Sequence, residues 1–194
     1  MKGCQTISKK CMIEKNDGFS SKEEKSMRNI SKAALLLFTV VLLLSACSAS
    51  LKEEQKAAKD AVNEAFQGSP KEANNKNEDI AFHLPFGVEV KEQSPNNIIL
   101  KNGSKTYILF YNQHEGPESK VVYEATMKQK EYDLSETYEK DQHFGFLLIK
   151  NTDKNMNEMT IGLGGVKITS QSKTNQLSSD ATIMTEIVNS VTMN

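Results

Sequence analysis

The chain has 194 residues, 38% of them hydrophobic, and a formal net charge of −1. Of its 24 basic and 25 acidic residues, 8 and 4 respectively lie in residues 1–46, so residues 47–194 keep 16 lysines, no arginine and 21 acidic residues, a net charge of about −5. Because nucleic-acid binding needs a basic surface and usually arginine, this composition argues against a nucleic-acid partner, and it supplies no lysine cluster for binding anionic lipid headgroups.

A signal peptide is predicted over residues 27–46. Arg28 and Lys32 provide positive charge before an apolar run from Ala33 to Leu44, and small residues follow it. The run is shorter than the roughly 18 to 20 apolar residues that cross a bilayer. This length favours a cleaved signal over the alternative, a permanent transmembrane helix.

The residues at the end of this run, Leu44-Ser45-Ala46-Cys47, resemble the lipobox of bacterial lipoproteins at all four positions. The resemblance implies cleavage between Ala46 and Cys47 and a thioether-linked diacylglycerol on Cys47. Two acyl chains, such as palmitates, hold a protein on a membrane where one chain binds only marginally. We therefore expect a lipid-anchored protein of the cell membrane that faces outside the cytoplasm.

Residues 1–26 are polar and precede a signal that is complete from Met27. We interpret them as an annotation extension before the true initiator, Met27, with a short cytoplasmic tail as the alternative. Cys4 and Cys11 both lie in this stretch, so residues 47–194 contain no possible internal disulfide.

Residues 47–79 are predicted to be a lipidated tether. Within it, Leu51–Phe66 consists of strong helix formers with a thin apolar stripe, which favours a spacer helix over a partner-binding helix. Residues 67–79 are rich in Gly, Ser, Pro, Asn and charge and predict a linker.

A compact domain is predicted over residues 80–194. Its first strands are Ile80–Leu84 and, with Phe86, Val88 and Val90 alternating, Phe86–Glu92. Asn97–Lys101 and Lys105–Asn112 flank Asn102-Gly103, and an Asn-Gly pair between two β-rich segments predicts a hairpin whose two turn residues both have positive φ.

The second half of the domain gives four more segments. Lys120–Met127 is compatible with a strand or a helix, and Phe144–Lys150 is apolar on both parities, as expected of a central strand covered on both faces. Glu158–Ser170 changes parity at Gly164-Gly165, which predicts one strand with a bulge. Leu177–Met193 predicts a closing helix, capped by Ser178 or Ser179, that packs on the sheet.

This order of elements resembles the PsbP-like family. The resemblance is carried by Phe82–Gly87, Ile98–Leu100 before the Asn-Gly turn, Tyr107–Phe110, and Ile187–Val191 in the final helix. It implies an α+β fold, an antiparallel sheet covered by helices in an α/β/α sandwich, and an accessory or binding role. It carries no catalytic motif, and no functional residue is transferred from it, because a fold alone does not determine function.

Sites for metals, cofactors and catalysis are not predicted. His83, His114 and His143, with Glu115 and Asp141 near them in sequence, lack ligand spacing. Gly162–Gly165 lacks the context of a phosphate loop. The acidic stretch Glu131–Asp141 is interpreted as a solvated helix face, not a calcium loop, and Ser135 and Ser190 lie in no nucleophile motif.

Aromatic residues offer one remaining candidate site, a ligand cleft. The residues concerned are Tyr107, Phe110, Tyr111, Tyr123, Tyr132 and Tyr138; the alternative is half-buried packing with hydroxyls at the rim. The sequence thus predicts a non-enzymatic, membrane-anchored binding or assembly module with an envelope protein as its partner. The alternative is a small-ligand receptor, and an envelope hydrolase has the least support.

Overall fold

The computed structural model describes residues 50–194, which hold three α-helices and ten strands. The helices are α1 (Leu51–Gln67), α2 (Val121–Met127) and α3 (Leu177–Asn189), with a 3₁₀ turn at Thr174–Gln176. The strands are β1 (Asn75–Lys76), β2 (Ile80–Phe82), β3 (Glu89–Ser94), β4 (Asn97–Asn102), β5 (Lys105–Tyr111), β6 (Leu134–Lys140), β7 (His143–Asp153), β8 (Met156–Leu163), β9 (Val166–Lys173) and β10 (Thr192–Met193).

Seven strands form one antiparallel sheet in the order β3-β4-β5-β9-β8-β7-β6. Two meanders, β3 to β5 and β6 to β9, meet where β5 pairs with β9. A small antiparallel sheet, β1-β2-β10, joins the chain before β3 to the C-terminal residues. The predicted α+β class with an antiparallel sheet is therefore confirmed.

One face of the sheet carries the main hydrophobic core. Strand residues such as Leu100, Leu109, Ile161 and Ile168 are fully or almost fully buried there under α1 and α3. The second face holds a smaller cluster of Val122, Phe144, Phe146 and Leu148 under α2. Helices thus cover both faces, and because alternate residues of β7 point into the two cores, Phe144–Ile149 is buried on both parities, as predicted.

The helix predicted at Leu51–Phe66 forms, but it is not a spacer. Its stripe of Ala58, Val62 and Phe66 is buried against α3 and the sheet, and the Phe66 ring lies 5.9 Å from the Tyr138 ring between centroids. Residues 50–194 belong to one compact unit. The small side chains of Ala58 and Val62 allow close helix packing, which a thin apolar pattern does not reveal.

A capping box starts α1 at Ser50. The Ser50 hydroxyl accepts the Glu53 backbone N–H at 3.3 Å, and the Glu53 carboxylate accepts the Ser50 backbone N–H at 2.7 Å. These hydrogen bonds hold the pKa of Glu53 below its usual value. Two of the unpaired donors at the helix start are thereby satisfied, so α1 begins sharply at this residue.

The predicted β4–β5 hairpin forms with a turn shifted by one residue. Asn102 pairs with Lys105 as the last strand residue, and the turn consists of Gly103 and Ser104. Gly103 has φ +58° and Ser104 has no positive φ, which fits a type II′ turn with glycine in its first central position. Asn102 therefore adopts strand geometry, not the predicted left-handed conformation.

The predicted bulge at Gly164-Gly165 is wrong, because these residues are the turn between β8 and β9. Leu163 pairs with Val166 across them, and Gly164 has φ +52°. A tight turn changes the parity of buried residues along the chain just as a bulge does. Glycine is required at 164 by its φ and by the backbone of Gly116, which leaves no room for a side chain.

Three local predictions are also corrected by the structure. Lys120–Met127, left open between strand and helix, contains α2, whereas most of the acidic stretch Glu131–Asp141 is strand β6 and not a helix face. Phe86, predicted to begin a strand, lies in a turn with its side chain fully exposed. Helix α3 starts after Gln176 without a side-chain cap, so neither predicted serine caps it.

Candidate functional site

A large groove lies where β5 and β9 separate. Their pairing runs from Tyr111↔Val166 to Tyr107↔Ser170 and then stops, although β5 begins at Lys105 and β9 continues to Lys173. Each strand stays paired with its outer neighbour, so the two strands diverge. We call the groove between them, about 760 Å³ in volume, the β5–β9 fork.

The fork is lined by strands on both sides and by α3. The end of β4, the turn after it and β5 contribute Asn102, Ser104, Lys105, Thr106, Tyr107 and Ile108. Strands β8 and β9 contribute Met156, Glu158, Thr169, Ser170, Gln171 and Lys173, and α3 with the residue before it contributes Gln176, Asp180 and Ile183. The lining mixes charged, amide, hydroxyl and apolar groups. It can therefore combine hydrogen bonds with an apolar contact.

An ion pair between Lys105 and Asp180 lies on the α3 side of the fork. The two side chains are in direct contact, and Asp180 is only 5% exposed. Asp180 lies in the first turn of α3, where the helix dipole favours a negative charge. A buried carboxylate needs a partner, and Lys105 provides it from the start of β5, so the pair joins α3 to the sheet.

Tyr107 and Ser170 form the base of the fork at the last paired position. Tyr107 is 1% exposed, and its burial, together with the negative charge of Asp180, raises its pKa to about 12. The Ser170 hydroxyl donates to the Thr106 carbonyl oxygen at 2.8 Å. This bond satisfies a carbonyl group beyond the last paired residues and holds the diverging strand in place.

The opposite rim of the fork lies on the α2 side of the sheet. Glu158 is paired with Lys130, and Ile108 is 48% exposed, an unusual state for an isoleucine in a paired strand. Near the start of β9, where β5 and β9 are still paired, the Lys167 ammonium group donates to the Thr126 hydroxyl at 3.0 Å. Burial, and then the charge of Lys130, lower the pKa of Lys167.

The predicted aromatic cleft does not form as one site. Tyr107 lines the fork, but the Tyr111 hydroxyl donates to the Asp79 carboxylate at 2.8 Å, and Tyr138 packs on Phe66. Phe110, Tyr123 and Tyr132 pack in the cluster on the other face of the sheet. The strand period of two places these aromatic residues on both faces, so they serve mainly as packing residues.

The three histidines have separate surroundings. The His83 ring lies 3.2 Å from the Glu186 carboxylate and 2.8 Å from the Glu72 carbonyl oxygen. His114 is in a loop, and His143 begins β7 beside Asp141. Within residues 50–194, no three side chains of His, Cys, Asp and Glu are grouped as metal ligands.

The two serines weighed as nucleophiles have structural surroundings. The Ser190 hydroxyl donates to the Ile187 carbonyl oxygen at 2.7 Å and accepts the His83 backbone N–H at 2.8 Å. The exposed Ser135 hydroxyl lies 3.4 Å from the Tyr123 hydroxyl. Gly162–Gly165 ends β8 and forms the turn to β9.

The predicted cleavage and lipidation residues, Ala46 and Cys47, lie outside the described residues, as does the signal peptide. Among residues 50–194, no helix has both the length and the apolar character needed to cross a membrane.

Most fork residues have no local signature in the sequence. Asp180 is recognisable as an acidic residue at a helix start, but its contact with Lys105 joins positions 75 residues apart. Serine and lysine at strand ends are ordinary in sequence terms. The divergence of β5 and β9 becomes visible only when their pairing is known.

A comparison of the chain with models of known protein families finds no match, and a search among curated proteins finds none either. The resemblances to lipoproteins and to the PsbP-like family therefore stay predictions.

Proposed function

We propose that the chain is an extracytoplasmic lipoprotein of the cell membrane, anchored by a diacylglycerol on Cys47, whose domain is a binding or assembly module. The observation that carries the proposal is the sequence Leu44-Ser45-Ala46-Cys47 after an apolar run of signal-peptide length. The capped start of α1 at Ser50, three residues after Cys47, agrees with it, because processing before Cys47 would leave this packed helix intact.

The anchor is tested by fractionating cells that express the chain or its Cys47→Ala variant. We expect the unchanged protein in the membrane fraction, and the variant either in the soluble extracytoplasmic fraction or retained with its signal peptide uncut. Ser48→Ala is the matched control, because it changes the next residue without removing the thiol. Equal membrane association of all three proteins, with equal mobility on a gel, would show that Cys47 is not lipidated.

The binding role is supported by the fork, whose polar groups and exposed Ile108 are available at the surface. A partner in the envelope would meet both hydrogen-bonding groups and an apolar side chain there, the combination common in protein interfaces. Crosslinking in cells, followed by mass spectrometry, tests this role. A stoichiometric envelope partner that is lost in the Cys47→Ala variant would support the binding or assembly role. Thr106→Trp fills the fork, so a partner that is still crosslinked to this variant would show that the fork is not part of the interface.

A small-ligand receptor is the second candidate, and the volume of the fork favours it. Its 760 Å³ lies within the range of about 300–1,000 Å³ that is usual for ligand pockets. A thermal-shift screen of residues 47–194 with Cys47→Ser should find a polar ligand that raises the melting temperature. Thr106→Trp should abolish that shift, whereas Thr137→Trp, an exposed threonine on β6, should keep it. A shift that persists in both variants would place the ligand elsewhere.

A further inference from the structure

The start of α1 determines which end of the domain faces the membrane, if Cys47 is lipidated as proposed. Cys47 precedes Ser50, the N-cap of α1, by three residues. Three extended residues span at most about 11 Å. The end of the domain that contains Ser50 is therefore held close to the lipid headgroups.

This end is identified by the packing of α1. Near its C-terminus, Phe66 lies so close to Gly145 that a Cβ at 145 would be 2.6 Å from the ring, and the Ala65 carbonyl accepts a hydrogen bond from Asn189. Gly145 pairs with Leu163 beside the β8–β9 turn. The 17 residues of α1 extend about 25 Å, so its N-terminus reaches the opposite end of the sheet, where α1 contacts the 3₁₀ turn after β9.

The β4–β5 turn and Phe86 lie at the same end as the start of α1. Lys173 at the end of β9 pairs with Met156, and the start of β5 is also at this end, because β5 and β9 are antiparallel. Gly87, with φ +83°, lies against Asn102: a Cβ on Gly87 would be 3.4 Å from the Asn102 side-chain oxygen. Phe86, its neighbour, is therefore beside the β4–β5 turn.

The side chain of Phe86 is completely exposed, with a relative accessibility of 105%. The other large hydrophobic side chains that are exposed in the described chain, those of Ile108, Val121 and Met193, have relative accessibilities of 50% or less. The backbone turn at Gly87 directs the ring away from the domain, and no packing within residues 50–194 accounts for it. Phenylalanine, like tryptophan and leucine, is one of the side chains that interfacial membrane-binding segments bury at the boundary between headgroups and acyl chains.

We propose that Phe86 inserts into the interface of the bilayer and forms a second membrane contact beside the lipid on Cys47. The start of α1 contacts the 3₁₀ turn that follows β9, whereas Phe86 precedes β3, three strand spacings from β9. That separation corresponds to roughly 14 Å. Two contacts this far apart restrict the tilt of the domain, and they place the fork, which opens at the same end, towards the membrane.

The bilayer fits this position better than a charged surface does. Residues 47–194 carry an acidic net charge, and their sequence contains no run of lysines of the kind that binds anionic headgroups. An apolar ring inserted beside an acyl anchor needs no such cluster. The contact should therefore survive high salt.

The absence of tryptophan from the chain allows a direct test with single-tryptophan variants of the full lipidated protein. Phe86→Trp and Val121→Trp are reconstituted in vesicles of phosphatidylcholine and phosphatidylglycerol at a ratio of three to one. Val121 is the matched control because it is an exposed apolar residue on α2. It lies at the other end of the sheet from Phe86: the ammonium group of its neighbour Lys120 lies over the ring of Phe144, near the start of β7.

We expect the fluorescence of Phe86→Trp to shift to shorter wavelength on reconstitution and to be quenched by lipids with brominated acyl chains, at low and high salt alike. Val121→Trp should show neither change. If Phe86→Trp floats with the vesicles but keeps its solution emission and full quenching by aqueous iodide, this inference is wrong while the anchor stands. If mass spectrometry shows no lipid on the wild-type chain, both proposals fail.

Discussion

Replacing Phe66 by alanine tests whether α1 is part of the folded domain. The Phe66 ring is 6% exposed and fills the space between α1, Tyr138 and the strand backbone at Gly145. Removing a buried phenylalanine ring costs about 3–5 kcal/mol, a large part of the roughly 5–15 kcal/mol that stabilises an ordinary domain. For a domain of this size, that loss lowers the melting temperature by roughly 6–20 °C.

The assay is urea and thermal unfolding of residues 47–194 carrying Cys47→Ser, with and without Phe66→Ala. Glu64→Ala is the control: it lies in the same helix, is exposed, and should change the unfolding free energy by less than about 0.5 kcal/mol. If Phe66→Ala changed stability as little as the control, α1 would be a detached spacer and the packing described above would be incorrect.

Two further predictions concern the fork. Lys105→Met should destabilise the domain by about 3–5 kcal/mol, because it leaves the buried carboxylate of Asp180 without its partner. Adding Asp180→Leu should recover most of that loss, as measured by urea unfolding. No recovery in the double variant would show that the loss does not come from the unpaired carboxylate. Alkaline pH should also destabilise the domain. The unfolded Tyr107 ionises near its ordinary pKa of 10.0, but the folded residue ionises only near 12. The contribution of the Tyr107 hydroxyl to stability is therefore complete below pH 10 and is lost as the pH rises from 10 to 12. The urea midpoint should fall less over that interval in the Tyr107→Phe variant than in the unchanged protein. An identical fall in both proteins would show that Tyr107 is not the group responsible.

Local signals in the sequence were sufficient for several elements. Asn102-Gly103 between two β-rich segments predicts the hairpin, and apolar residues on both parities of Phe144–Lys150 predict a strand covered on both faces. The wide stripe containing Met184 and Ile187 predicted the closing helix. Each signal depends on neighbours a few residues apart, so no knowledge of the tertiary fold was needed.

The missed features depend on contacts between distant residues. Gly164 could belong to a bulge or to a turn, since both change the parity of buried positions, and only the pairing of β8 with β9 decides between them. The apolar stripe of α1 predicts little burial because Ala58 and Val62 are small side chains. They are buried by α3, which lies more than 100 residues later in the chain. For the fork, the decisive fact is that β5 and β9 pair over only part of their length.

The base of the fork and the exposure of Phe86 could not be predicted for a similar reason. Polar strand residues such as Ser170 and Thr106 are common in sheets, and nothing in their own sequence marks them as the base of a groove. The alternation of Phe86 with Val88 and Val90 predicts a strand that includes Phe86. The turn at Gly87, with its positive φ, instead directs the phenylalanine outwards, and this orientation is what suggests a membrane contact.

The proposed membrane location depends on a lipid on Cys47, and mass spectrometry of the N-terminal tryptic peptide is its decisive test. We expect a peptide that spans residues 47–52, begins at Cys47 and carries the mass of a diacylglycerol, with no peptide from residues 1–25. An unmodified peptide spanning residues 33–52 from the abundant cellular form would contradict it, because Ala46 and Cys47 would then be uncut and Cys47 would carry no lipid.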